Sequence, residues 1–287
     1  MKPDLVFRIS VIDAGLNLKR HLQTYPEVTV ADAIRQLRNG PVFRNSLDYE
    51  AALDICEEHG IAPFCSSPNR TEELRQTLFK LAILLKPFWA KICFLGRDRV
   101  RDVLSVGQKQ CLNYAGLLGP IDEAVRLWWD ELAAHFRAEQ SQKLLEIGRR
   151  GEKLSLQLEI ETLRKLGISE SPVWISLEDN TAGYDIASHR WNETGELTKL
   201  FIEAKATTTT EFVFFLTRHE WEVAAEAGSS FLFHFWYLPT PAVWIATVEQ
   251  VAAHIPSDHG SGLWDKVRLN LRDRPFDPVM FPSFVAF

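Results

Sequence analysis

The segment Lys199-Leu200-Phe201-Ile202-Glu203-Ala204-Lys205-Ala206 constrains the fold of this 287-residue chain more than any other. Its apolar character predicts a buried strand, and on a strand residues i and i+2 share a face. Glu203 and Lys205 therefore point one way, and Ile202, Ala204 and Ala206 the other. An acid and a base inside an apolar strand are costly to bury unless they are paired or bind something. The same conflict recurs at Gly183-Tyr184-Asp185-Ile186-Ala187, where one acid interrupts a second strand-like run. Between the two, His189 to Glu196 has a polar, Gly-containing centre that predicts a turn. A hairpin closed by that turn brings Asp185, Glu203 and Lys205 to one end of a sheet. Two carboxylates and a lysine there make a site for a hard divalent cation and a phosphodiester.

Around this hairpin the second half of the chain alternates between periods. A helix over 142–166 precedes strands over 172–177, 183–190 and 199–207, followed by a helix over 217–228 and a strand over 230–238. The order α-β-β-β-α-β predicts an α/β domain with a mixed sheet. From Ala242 a further strand and a short helix over 247–253 are expected, then an irregular Pro- and Phe-rich end packed on the core, with no evident chemistry. The first half is mostly helical, with segments near 28–39, 47–59, 70–86 and 121–137. The break at Gly60-Ile61-Ala62 is compatible with a winged helix or with any small helical bundle. The polar run Arg137 to Gln142 places the boundary near 140, so the expected domains are 1–139 and 140–287.

Four separated blocks sharpen the reading: GRRGEKLSLQLE at 148–159, NTAGYDIAS at 180–188, FIEAKAT at 201–207 and FFLTRHEW at 214–221. An Asp followed after an interval by Glu-x-Lys on consecutive strands resembles the PD-(D/E)XK, or restriction-endonuclease-like, nuclease core. In this order the blocks resemble one branch of it, the domain named after the C-terminal part of the plant protein NO VEIN, which also occurs in prokaryotic defence-associated proteins. The resemblance covers roughly residues 140–240, and Tyr184 stands where the motif's name places a proline.

That resemblance implies Mg²⁺- or Mn²⁺-dependent hydrolysis of phosphodiester bonds in DNA. Asp185 and Glu203 would ligate the cation, with the Ala204 carbonyl as a third ligand. Lys205 would orient the attacking water, help deprotonate it, or offset charge in the transition state. Its alternative role is a structural salt bridge. Glu152 falls in a helical stripe with Leu145, Gly148, Leu156 and Leu163. A first-helix glutamate of this superfamily reaches the metal site, which implies a second ion or a metal water at Glu152. Arg149, Arg150 and Lys153 form a candidate phosphate-binding patch, as do Arg97, Arg99 and Arg101. Thr217 and Glu220 fit a capping box, a sufficient structural explanation for both, while Arg218 or His219 could touch phosphate. For Thr207 to Thr210, Trp128, Trp129, Trp191 and Trp236, strand formation and packing are the default.

Composition bounds the alternatives. Apolar and charged fractions of 46% and 24% are those of a globular protein. The net charge of −6 argues against non-specific coating of nucleic acid. Residues 1–150 hold 21 bases and 19 acids, the remainder 11 and 19, so affinity for DNA must come from local patches, the first half or a partner. The most apolar stretch, 78–95, contains Lys80, Lys86, Pro87 and Lys91, which argues against a membrane span. Scattered Cys56, Cys65, Cys93 and Cys111, without C-x-x-C and with no visible signal peptide, predict free thiols in a reducing cytoplasm. No zinc cluster, P-loop, GxGxxG or GxSxG occurs. A helicase or ATPase partner and a homodimer are the expected associations, and an RNA substrate stays open. The rival readings are a non-catalytic nucleic-acid-binding or sensor module and a partner-binding scaffold within a larger defence complex.

Overall fold

A computed structural model describes residues 3–41, 46–258, 262–271 and 279–280. The chain divides into two compact units, Met1–Ser141 and Gln142–Phe287. The first holds α1 (Pro3–Val6), α2 (Ile9–Thr24), α3 (Val30–Arg38), α4 (Tyr49–His59), α5 (Arg70–Leu85), α6 (Phe88–Lys91), α7 (Arg97–Val103) and α8 (Val106–Tyr114). Helix α9 (Glu123–Lys165) begins in this unit and ends in the second. The units part at Ser141 and Gln142, close to the expected boundary near 140, and the helix runs through it. Glu139, Gln140, Gln142 and Lys143 are polar, and each of them, like Ala138, is a good helix former.

The helices of the first unit start where side chains satisfy free backbone amides. Thr29, Asp48, Asn69 and Ser105 each accept from an amide of the first turn, and Ser105 with Gln108 completes a capping box. The core gathers Phe7, Trp89, Trp128 and Trp129, with the Trp128 and Trp129 rings edge-on at 4.9 Å. Gly15 lies in α2 because the Phe64 ring occupies the space of a side chain there. The one deeply buried acid of α5, Glu73, is held by Arg20 and Arg70. Among the described residues this unit has no strand, so the wing of a winged helix is not among them. The 97–101 patch is also corrected: Arg97 donates to the Gly119 carbonyl, and Arg101 to Asp98 and the Leu118 carbonyl. Those side chains close a loop and are not a free cationic surface.

The second unit continues with β1 (Val173–Trp174), β2 (Ile186–Trp191), β3 (Leu197–Thr207), β4 (Val213–Thr217), α10 (Arg218–Ala227), β5 (Phe231–Tyr237), β6 (Ala242–Thr247), α11 (Val248–Ala252), β7 (Lys266–Asn270) and β8 (Val279–Met280). Its mixed sheet runs β1-β2-β3-β5-β6-β8, with β3 and β5 parallel and every other pair antiparallel. β4 and β7 form a separate antiparallel ribbon. The ribbon was not expected, and β7 falls in the stretch predicted to be irregular. The Pro- and Phe-rich end at 281–287 lies outside the described residues. The predicted strand over 172–177 is shorter than expected, because the chain turns into a 3₁₀ segment at Ile175–Leu177.

Period two sorts the sheet. Phe231, Phe233 and Phe235 join Phe214, Leu216, Trp244 and Leu269 in one core, while Trp236 on the other face donates to Ser155 of α9 at 2.7 Å. Helix α9 approaches β3 closely: a Cβ on Gly151 would lie 2.7 Å from the Ala206 Cβ. Its buried side runs through Gly151, Glu152, Ser155, Leu158, Glu159 and Leu163. Leu145, an expected member of that stripe, is 53% exposed. Glu159 is fully buried and bound by Ser188 and, through both oxygens, Arg190. Trp191 is half-exposed, with its indole N–H on the Leu166 carbonyl.

Candidate active site

The hairpin forms as its sequence predicts. Asn192 and Gly195, the latter at φ 79°, close the turn between β2 and β3. The opposite end of the ladder opens. Just beyond the paired residues, the Asp185 amide donates out of register to the Ile202 carbonyl at 2.9 Å. The next donor, the Ala204 amide, is taken by the Asp185 carboxylate at 2.8 Å. A side chain thus replaces the strand, and β3 continues past β2. A residue's N–H and C=O leave an antiparallel strand on the same side, so the Ala204 carbonyl also faces this opening.

Three groups of polar side chains meet here. Glu203, 4% exposed, lies 2.6 Å from the Lys205 ammonium, as their shared face requires. Lys205 also donates to Glu220 of α10 at 2.9 Å. Asp185 is coupled through Ser176 to Glu152, whose carboxylate accepts from Ser176 at 2.5 Å, Arg149 at 2.6 Å and the Trp174 indole at 2.7 Å. Sequence reasoning anticipated Asp185, Glu203, Lys205 and Glu152. It missed Glu220, because the capping box already accounted for that residue. The cap is present, with the Thr217 amide donating to Glu220 at 2.8 Å, yet the same oxygen holds Lys205.

The electrostatics follow from burial. Burial, with the nearby Glu152 charge, pushes the Asp185 carboxyl up to about 6. Burial raises Glu203 well above the carboxylate range, against the pull of Lys205. For Lys205 burial alone favours the neutral amine, but Glu203 and Glu220 outweigh it and raise its pKa. In this arrangement Lys205 is an ammonium, a donor and not a base. Two neighbouring carboxylates that resist ionisation are the donor set a divalent cation relieves, and Mg²⁺ takes one or two carboxylates plus water. Among the described residues no three His, Cys, Asp or Glu side chains form a closed cation cage.

The expected phosphate contacts divide into two kinds. Arg149 is committed to Glu152 and Ser176 and lies 6.0 Å from the Trp174 ring centre. Arg218 is clamped by Asp258 and Glu222. Both are therefore structural cations, contrary to expectation. Arg150 and Lys153 are exposed and form no ion pair among the described residues. His219 is tied to the Thr181 carbonyl at 2.8 Å. A cavity of about 570 Å³ in the first unit, lined by residues that include Phe79, Leu127 and Trp128, contains none of these groups.

Residues 151–245 match the family described as Protein NO VEIN, C-terminal. That segment resembles a NO VEIN C-terminal domain. Its α-β-β-β-α-β core is consistent with the PD-(D/E)XK fold of that family. The match covers Glu152, Asp185, Glu203, Lys205 and Glu220, and leaves out the first unit and β7. Comparisons with curated proteins and with solved structures returned no match. Among the described residues no helix is long and apolar enough to cross a membrane.

Proposed function

We propose that the NO VEIN-like segment of this chain is a metal-dependent deoxyribonuclease that hydrolyses phosphodiester bonds endonucleolytically, in a prokaryotic restriction or anti-phage setting. The observation that carries the proposal is the opened end of the β2–β3 ladder. There Asp185 replaces a strand, and Glu203 and Lys205 project from the strand that continues. Asp185, Glu203 and the Ala204 carbonyl would hold Mg²⁺ or Mn²⁺. When bound, such a cation polarises the scissile phosphate and lowers the pKa of a water.

The chain's own residues supply the rest. Lys205, an ammonium fixed between Glu203 and Glu220, offsets negative charge as it develops on the phosphorane oxygens. Glu152, held by Ser176 beside Asp185 on the α9 side, can anchor a water of a second ion. Arg150 and Lys153, unpaired and exposed, are the cations of this region free to take flanking phosphates. The acid excess of the segment limits non-specific affinity, so a helicase or ATPase partner docked on the first unit, or a second copy of the chain, would supply the remainder.

The ion pairs of Lys205 also favour a second reading, a nucleic-acid-binding or partner-docking module without turnover. A lysine satisfied on both sides is stable without a substrate. Titration of Mn²⁺ into the full chain by calorimetry or electron paramagnetic resonance separates the two. The nuclease reading expects binding that is lost in Asp185→Asn and Glu203→Gln. Equal binding by wild type and both variants would place the cation elsewhere and remove the basis for the mechanism.

A further inference from the structure

Away from Asp185, the outward face of the β4–β7 ribbon carries chemistry that packing does not use. Phe214, Leu216 and Leu269 are buried in the core, so the alternate residues Phe215, Lys266 and Arg268 point outward. Phe215 is 50% exposed, with the Lys266 ammonium 4.8 Å from its ring centre. The register sets Arg268 opposite Phe215 and Lys266 opposite Thr217. Lys266 and Arg268 form no ion pair among the described residues. Acids outnumber bases by 19 to 11 over residues 151–287, yet among the described residues neither of the ribbon's cations takes a carboxylate.

A lysine that guards a sheet edge against pairing with other chains would account for one of these charges. It does not account for a half-exposed phenyl ring with one cation over it and a second directly across the ribbon. That combination is the chemistry by which single-stranded nucleic acid is held: a base stacks on the ring, and adjacent phosphates meet the cations. Lys266 and Arg268, two apart on a strand, are separated by about 6.8 Å of backbone rise. The ribbon also leads to the candidate site. Thr217 ends β4 and caps α10, its amide donating to the Glu220 carboxylate that holds Lys205. The Arg218 amide donates to the carbonyl of Asp265, the residue before β7.

We propose that the outward face of β4 and β7, through Phe215, Lys266 and Arg268, docks single-stranded DNA beside the Lys205 site. Its description as the substrate strand rests on the nuclease reading, whereas the binding does not. The test is fluorescence anisotropy of the full chain with a labelled oligothymidylate of about 16 nucleotides, in chelator so that no cleavage occurs. Phe215→Ala is expected to weaken binding roughly 5- to 100-fold, the effect of one lost base stack, while Phe215→Trp retains it. Neutralising both cations (Lys266→Gln with Arg268→Gln) is expected to reduce the slope of log affinity against log salt by about 1.4. These two side chains are exposed, and circular dichroism verifies that the fold is kept. Absence of wild-type binding, or wild-type affinity and salt slope in all variants, overturns the proposal. Binding of oligouridylate alone overturns its assignment to DNA. Loss of cleavage with binding intact would count only against hydrolysis.

Discussion

Glu220→Gln separates two jobs performed by one carboxylate. A glutamine at this position of a capping box still accepts the Thr217 amide, so α10 keeps its cap. What disappears is the charge 2.9 Å from the Lys205 ammonium. The gross attraction there is on the order of 6 kcal/mol at an effective dielectric of 20. Most of it is offset, because the variant no longer desolvates a carboxylate and Lys205 keeps Glu203 at 2.6 Å. A hydrogen bond to a charged group is worth about 1.5–3 kcal/mol and a neutral one about 1, so the net cost is roughly 1–2 kcal/mol. Thr217→Ala, by contrast, loses about 1 kcal/mol through the cap alone. Thermal denaturation of the full chain measures both, since 1 kcal/mol shifts Tm by about 2–4 °C in a unit of this size. The deciding quantity is a double-mutant cycle with Lys205→Met. Glu220→Gln should couple to it by about 1 kcal/mol or more, and Thr217→Ala by about zero. Equal, near-zero coupling for both would show that Glu220 is only a cap and refute the ion-pair argument.

Two further outcomes follow from the packing of the second unit. His234 is fully buried with neither ring nitrogen hydrogen-bonded, and burial lowers its pKa to about 4, with Arg190 also lowering it and Glu159 opposing. The depressed value lies below that of the unfolded chain, so its contribution is present above pH about 6.5 and is lost as pH falls toward 4. The loss is about 3 kcal/mol at most, and urea denaturation across that window should flatten in His234→Leu. Gly151→Ala should destabilise by about 1–3 kcal/mol, because its new methyl meets Ala206 at 2.7 Å. Gly148→Ala, whose Cβ would meet only the Glu152 carboxylate oxygen at 3.8 Å, should stabilise by up to about 1 kcal/mol. Matching denaturation midpoints for these two variants would contradict the close approach of α9 to β3.

The hairpin and its three polar residues were legible because their information is local. Acids and a lysine in strands that are otherwise apolar must be explained by something within a few residues, and the turn between them carries its own Asn and Gly signals. Features that depend on distant partners were not legible. Strand β4 pairs with β7 some 50 residues later, in a stretch whose composition suggested only irregular chain. Glu159 finds Arg190 31 residues away, and Glu220 finds Lys205 15 residues back. A second role for Glu220 stays hidden once a local motif explains the residue. The same holds for Arg218, which in sequence is only an exposed-looking cation; its carboxylate partner Asp258 lies 40 residues away. The polar run at 137–142 does mark where the two units part, between Ser141 and Gln142, while its good helix formers let α9 run through it unbroken.

The proposed hydrolysis of DNA through Asp185, Glu203 and Lys205 is tested most directly by single-turnover cleavage. Supercoiled plasmid and single-stranded DNA are incubated with the full chain in Mg²⁺ or Mn²⁺, comparing wild type with Lys205→Met and confirming the fold of each by circular dichroism. The account predicts metal-dependent cutting by wild type that falls by at least about 100-fold in the variant, the usual scale for losing one charge-stabilising group in a transition state. Equal cutting by both proteins would contradict the assignment of the site. Absence of cutting by wild type, with DNA and Mn²⁺ both bound, would contradict hydrolysis and leave the domain as a binding module.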